Sequence, residues 1–400
     1  MTADGVRVPV PTQAGTRRRD FAFVDGLRGL SALAIAVMHA FLFTGRTDEA
    51  QRAFPLLGDV VNRGALAVPV FIVLSGFVLM PDVERHGLRV RGGFLDHVKR
   101  RSRRILPPYY AALALFTVLI VAVPFLRSAH DTQWEGKVPL DAGSVLSHVF
   151  MVHNLNPDWA VKIDGPMWSV ATEYQIYFLM PLLLLAWRRV GPWATVVLAL
   201  LAGVGVTVVL PVVVAAKLWL LGLFAMGMVA SWLVQRGLTG RQVRPWAIAV
   251  SVVALLAVVP NRLFDQQALT QPVVGAAVAL WLVVLAASDR GRVRAVLASR
   301  PLRYLGLFSY SLYLFHSPLL AFANLALLDA PLSIGARLAV MWLVALPLAV
   351  LLSWVAFWLV ERHFLTGHQQ RAIEQEATGP APVSTPTSAA PAGVEAPTTG

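Results

Sequence analysis

Hydrophobic positions along this 400-residue chain come in long unbroken runs, not in alternation with polar ones. About ten runs recur, near 24–45, 64–81, 104–126, 165–187, 192–213, 217–235, 246–260, 272–288, 304–328 and 335–361. Each is close to the roughly 20 residues with which a helix crosses a bilayer core. The apolar–polar alternation of a membrane β-barrel is absent. The pattern predicts an all-α fold, a polytopic helical membrane protein with about ten transmembrane helices.

Three polar stretches frame the runs. Residues 1–20 end in TRRRD and read as a cytoplasmic N-terminal anchor. The longest connection on the outer side, about 127–164, contains Trp134, His153, Trp159 and a short apolar piece, SVLSHVFMVHN, expected to lie along the membrane surface. From about 376 the chain reads EATGPAPVSTPTSAAPAGVEAPTTG, which cannot bury a core, so 366–400 is expected to be a largely disordered cytoplasmic tail. The domain between spans 21–365.

Composition agrees with the pattern. Hydrophobic residues make up 57% and charged ones only 14%, against about a quarter charged in soluble domains. There is no cysteine, which excludes disulfides, thiolate catalysis and Cys-ligated metal. The first run is too long for a cleavable signal, is interrupted by Arg28 and lacks a small-residue cleavage site, so it is expected to stay as the first span. The net charge of +12 invites a nucleic-acid reading, but its distribution argues otherwise. With a cytoplasmic N-terminus, 24 of the 34 Lys and Arg fall in inside segments, 9 outside, and Arg28 lies within a span. That asymmetry is the positive-inside rule, and it puts both termini in the cytoplasm.

The informative residues are the polar ones inside the runs. Arg28 and His39, in DGLRGLSALAIAVMHA, are eleven residues apart, three helical turns, so they share one face about 16 Å apart. A charged side chain within a membrane is costly and normally faces a protein interior or a water-filled cavity. Taken alone, Arg28 could snorkel to headgroups and His39 could be an interhelical donor. Glu173 in GPMWSVATEYQIYFLMP and His316 in FSYSLYLFHSPLL change that balance. Counted from the ends of their runs, His39, Glu173 and His316 lie at one level, about 10–12 Å below the outer boundary, with Ser75 of VPVFIVLSGFVLM nearer the middle. A carboxylate and two imidazoles at one depth suggest a proton-handling site. KRRSRR, Lys99 to Arg104, is either a strong topology signal or a phosphate clamp, and composition does not choose between them. No metal-binding His spacing, nucleophile elbow or phosphate loop is present. The Gly in LSGFV reads as a close helix-packing position.

Together these stretches resemble the membrane-bound acyltransferase family 3. The likeness rests on the Arg28-x10-His39 spacing in DGLRGLSALAIAVMHA, then VFIVLSGFVL, the RxxR of Arg101 and Arg104 before PPYY, GPMWSVATEYQIYF and YSLYLFHSP, five motifs in order over about 21–365. The resemblance implies transfer of an acyl group, often acetyl, from cytoplasmic acyl-CoA to a hydroxyl. Acceptors of such enzymes are sugars of surface polysaccharides, glycolipids or peptidoglycan, or metabolites such as macrolides. It implies His39 as the catalytic residue with Arg28 as its partner toward the thioester, and Arg101 and Arg104 at the coenzyme A phosphates. Acyl-CoA would be a co-substrate, with no permanently bound cofactor and no metal.

Glu173 is expected to orient His39 or bind the sugar, His316 to carry a second proton or act as a structural donor, and Ser75 to contact substrate. Trp168, with Trp159 and Tyr177, would stack on a sugar ring or anchor the aromatic belt. Where many members have two acids in the WSxxxE motif, this chain has Glu173 followed by Tyr174, so a second carboxylate is unsupported. No fused extracytoplasmic domain is expected, so transfer would be completed by the chain itself or a separate protein. The expected location is the bacterial cell membrane and the expected partners are lipid, acyl-CoA and the acceptor, with no nucleic acid. The competing reading is a proton-coupled transporter or flippase, which intramembrane His, Glu and Arg would also suit, although no inverted repeat is evident.

Overall fold

The computed structural model describes residues 21–288 and 291–365, and they contain no β-strand. The expectations for 1–20 and for the tail from 366 lie outside the described residues. Eight spans come first: α1 (Ala22–Leu42), α2 (Pro55–Arg85), α3 (Gly93–Ala122), α4 (Met167–Val190), α5 (Pro192–Val209), α6 (Pro211–Gln235), α7 (Gly240–Val258) and α8 (Gln267–Ala287), with α6 opening on a 3-10 turn that ends at Lys217 in the left-handed region. They are followed by a bent pair, α9a (Arg300–Leu307) and α9b (Ser309–Leu327), and by α10 (Ile334–Leu359). All are long and apolar enough to cross a bilayer, with the bent pair counted as one span. In hydrocarbon every backbone N–H and C=O must be satisfied internally, so long runs of Leu, Val and Ala have only the helix available.

The bend in α9 is 70° and falls at Phe308. A break inside a bundle exposes the first N–H groups of the next helix, which need an acceptor. Glu361, itself buried, supplies it: its Oε2 accepts from the Ser311 backbone N–H at 2.9 Å and from the Ser311 hydroxyl at 2.6 Å. A carboxylate there also complements the positive end of the helix dipole. The Ser309 hydroxyl closes the other side by donating to the Gly306 carbonyl at 2.8 Å.

Small residues let the central helices approach backbone to backbone. A Cβ on Gly76 of α2 would sit 2.0 Å from the Phe224 carbonyl oxygen of α6, and one on Gly227 would sit 2.0 Å from that of Val73. The LSGFV glycine is thus a packing position, as its sequence suggested. Leu201 of α5, Leu256 of α7 and Leu343 of α10 are by contrast largely exposed, on helices at the edge of the bundle.

The 127–164 connection departs from expectation, because it does not stay on the surface. Its short helix, Ala142–Val149, packs beside the middle of α3, where Tyr109 donates to the His148 carbonyl at 3.0 Å and Tyr110 to that of Val149 at 2.7 Å. Tyr109 lies thirteen residues before the end of α3 at Ala122, about 20 Å along the helix. The following turn is tied to α4: Gln175 donates to the Met151 carbonyl at 2.9 Å, and Asn154 to Thr172 Oγ1 at 2.9 Å. Irregular backbone is tolerated at membrane depth when protein partners satisfy it in this way. The connection re-enters the bundle.

Candidate active site

The shared face of α1 borders two cavities. Arg28 lines one, at the basic end, and His39 lines a larger one of about 270 Å³ toward the opposite end. Val68 and Tyr313 line both, so they stand between the two cavities. Tyr313 OH lies 2.6 Å from Ser169 Oγ at this junction.

In the larger cavity, His39 Nδ1 is 2.9 Å from His316 Nε2 and 3.1 Å from the Ile35 carbonyl oxygen, while His316 Nδ1 is 2.8 Å from the Leu312 carbonyl oxygen. A carbonyl only accepts, so His316 Nδ1 carries hydrogen and, in the neutral ring, Nε2 holds the lone pair. That lone pair faces His39 Nδ1, which therefore donates, to it and to Ile35. One assignment satisfies both carbonyls, and it leaves His39 Nε2 bare. His316 is fully buried, and the Phe43 ring stacks near His39 at 5.8 Å between centroids. Of the two roles the sequence offered for His316, the geometry adds a third: it orients the His39 ring.

Three charged residues of this region, Lys137, Asp164 and Lys217, were not singled out from sequence. Lys137, from the re-entrant connection, lines the His39 cavity, with its Nζ 5.5 Å from the centroid of Phe43. Asp164, fully buried, lies behind it with neither carboxylate oxygen hydrogen-bonded among the described residues. Burial drives the Asp164 carboxyl upward and the Lys137 ammonium downward from their usual values. The one signal available was the adjacency of Asp164 to GPMWS. Trp168 and Lys217 complete the wall, with Lys217 Nζ 4.1 Å above the Trp168 ring.

The basic-end cavity is lined by Arg28, Arg101 and Arg104 together with Glu173, Ser75 and Tyr177. Arg101 packs its guanidinium 5.5 Å from the Tyr177 ring centroid, and its buried Nε has no hydrogen-bond partner among the described residues. Glu173 Oε1 accepts from the Ser75 hydroxyl and, at 2.5 Å, from Tyr177 OH.

Glu173 thus corrects the expectation that it shares a level with the two histidines and orients His39. It faces the arginines, and His316 holds His39. Sequence counting began α4 at the outer boundary, whereas the re-entrant connection starts it deeper, with Gly165, Pro166 and Trp168 already beside His39. Glu173 is five residues beyond Trp168, about 7.5 Å further in. Among the aromatic residues expected to stack on a sugar, Trp168 lines the His39 cavity and Tyr177 the other. Trp159 packs against Gly143 and lines neither.

A family profile described as an acyltransferase domain matches residues 21–358. The chain belongs to acyltransferase family 3. Among curated members it is 29% identical over 172 residues to YrhL of Bacillus subtilis, whose name assigns it provisionally as a peptidoglycan O-acetyltransferase. It is 26% identical over 161 residues to the acyltransferase MdmB of Streptomyces mycarofaciens, and 23% over 190 residues to the peptidoglycan O-acetyltransferase OatA of Listeria monocytogenes. These matches cover 40, 40 and 46% of this chain but only 23, 38 and 27% of the respective relatives. The chain therefore aligns with less than two fifths of each relative's length. No solved structure shows significant similarity to this family member.

Proposed function

We propose that the protein is an integral-membrane O-acyltransferase of the bacterial cell membrane, moving an acetyl-sized acyl group from acyl-CoA to a hydroxyl of a sugar-bearing acceptor. The observation that carries this reading is the bare Nε2 of His39 in one cavity, three turns along the same helix face from a guanidinium-lined cavity. The names of the relatives, which include O-acetyltransferases, support the chemistry.

In this reading the coenzyme A phosphates dock on Arg101 and Arg104, whose planar guanidiniums suit bidentate phosphate recognition. The pantetheine arm, on the order of the bilayer half-thickness, runs past Arg28 toward the junction at Tyr313. The acceptor enters from the opposite side. Its hydroxyl gives its proton to His39 Nε2 as oxygen attacks the thioester carbonyl. An ester C–O bond forms, the C–S bond breaks, and the departing thiolate takes the proton from His39. His316 keeps the ring in the tautomer that accepts. The surrounding bundle excludes the water that would hydrolyse the thioester.

The test is coenzyme A release by the purified full chain in nanodiscs, followed with a thiol reagent that this cysteine-free protein cannot consume. Release from acetyl-CoA that disappears in His39→Ala supports the enzyme. Folded protein that neither binds nor turns over several acyl-CoA donors removes it in favour of a proton-coupled transporter.

A further inference from the structure

The His39 cavity has a charge its proposed chemistry does not require. Lys137 and Lys217 both line it, and no Asp or Glu does. Neither ammonium has a direct hydrogen-bond or ion-pair partner among the described residues; on the cavity side each has an aromatic ring beside it, Phe43 for Lys137 and Trp168 for Lys217. Lys137 is 5% exposed, and burying an ammonium is costly unless an anion offsets it. Asp164, behind Lys137, interacts with it electrostatically but makes no direct hydrogen bond to it and does not line the cavity, so the cavity wall itself carries no anion. Burial lowers the Lys137 ammonium, and the neighbouring Asp164 opposes that shift. The remaining polar wall is neutral: Gln133, Gln267 and Gln271 bring amides suited to sugar hydroxyls, and Trp168 offers a ring face.

We propose that the acceptor sugar carries an anionic group, a carboxylate or a phosphate, and that Lys137 and Lys217 receive it beside His39. This rests on the acyltransferase reading for the word acceptor, but not for the anion site. Two ammoniums flanking one cavity select an anion over a neutral isostere because only the anion offsets their desolvation. The lysines thereby set which sugar presents its hydroxyl to His39.

The experiment measures binding and turnover separately on the full chain in nanodiscs of zwitterionic lipid. Methyl glucoside, methyl glucuronoside and glucose 1-phosphate are titrated by tryptophan fluorescence, and each is then added to the coenzyme A release assay. The expected result is at least tenfold tighter binding of a charged sugar than of the neutral one. The Lys137→Met, Lys217→Met double variant should erase that difference, and Lys137→Arg, Lys217→Arg should retain it. Lys217→Met alone, expected to lose most of the discrimination, serves if the double variant does not fold. Equal binding of charged and neutral sugars, no binding of any, or anion selectivity that survives loss of both ammoniums overturns the proposal. The arms that differ in carboxylate and phosphate identify which anion is read. Selective binding that never stimulates coenzyme A release leaves the anion site standing and removes the acyltransferase reading. Release stimulated equally by all three sugars does the reverse.

Discussion

The two cavities along α1 are built differently. The basic-end cavity is made from side chains of long helices: Arg28 of α1, Ser75 of α2, Arg101 and Arg104 of α3, Glu173 and Tyr177 of α4. The His39 cavity takes part of its wall from irregular chain, with Gln133, Lys137 and Gly165 supplied by the re-entrant connection and Lys217 by the opening turn of α6. A donor pocket shared by enzymes that use one thioester can rest on rigid helices, while the acceptor side can vary through segments that need not keep helical register. Under the proposed function, donor binding falls to one cavity and proton transfer to the other, a division that can be broken by substitution.

His39→Ala should lower coenzyme A release by about 10³-fold, within the range for loss of a general base, while acyl-CoA binding stays close to wild type. A comparable loss of acyl-CoA binding would mean that the two cavities do not divide the work. His316→Leu removes the group that sets the tautomer of His39, and kcat should fall about 10²-fold. His316→Gln, whose amide oxygen still accepts from His39 Nδ1, should recover about tenfold of that loss, and equal damage from both variants would make His316 a packing residue only.

At the other cavity, Arg101→Ala should raise the KM for acyl-CoA about tenfold with little change in kcat, as expected when one charge-assisted hydrogen bond of about 1.5 kcal/mol is lost. A fall in kcat at constant KM would move Arg101 out of donor binding. Gly76→Ala tests the scaffold beneath both cavities. With a Cβ 2.0 Å from the Phe224 carbonyl, α2 and α6 must separate, and overpacking of this kind costs about 1–3 kcal/mol. The unfolding midpoint in detergent should drop, with activity at low temperature less affected.

Much of this was legible in the amino-acid sequence. Each of the ten apolar runs falls on one span, with ends agreeing to within six residues except that α2 starts nine and α3 eleven residues before their runs. They agree because a bilayer demands about the same length from every span and hydropathy reports the apolar part directly. The common face of Arg28 and His39 follows from helical period alone, since α1 is unbroken from Ala22 to Leu42. The packing glycine of LSGFV was legible because small residues are what let membrane helices approach closely. What sequence counting missed was the level of Glu173, the bend at Phe308, and the wall of the His39 cavity contributed by Lys137 and Lys217.

These misses share a cause. Position along a helix is a local quantity, set by a rise of about 1.5 Å per residue, so relative spacing within α1 or α4 is determined by sequence. The depth at which a helix begins is not local. It depends on where the preceding chain finds partners for its backbone, and here Tyr109, Tyr110, Asn154 and Gln175 hold the 127–164 connection inside the bundle. The bend in α9 likewise needs Glu361, fifty residues away from Ser311, to cap the new helix start. Sequence by itself determined the spans, their order and the face that joins Arg28 to His39. Tertiary structure decided which of the embedded polar groups meet, because only long-range hydrogen bonds can place irregular backbone at that depth.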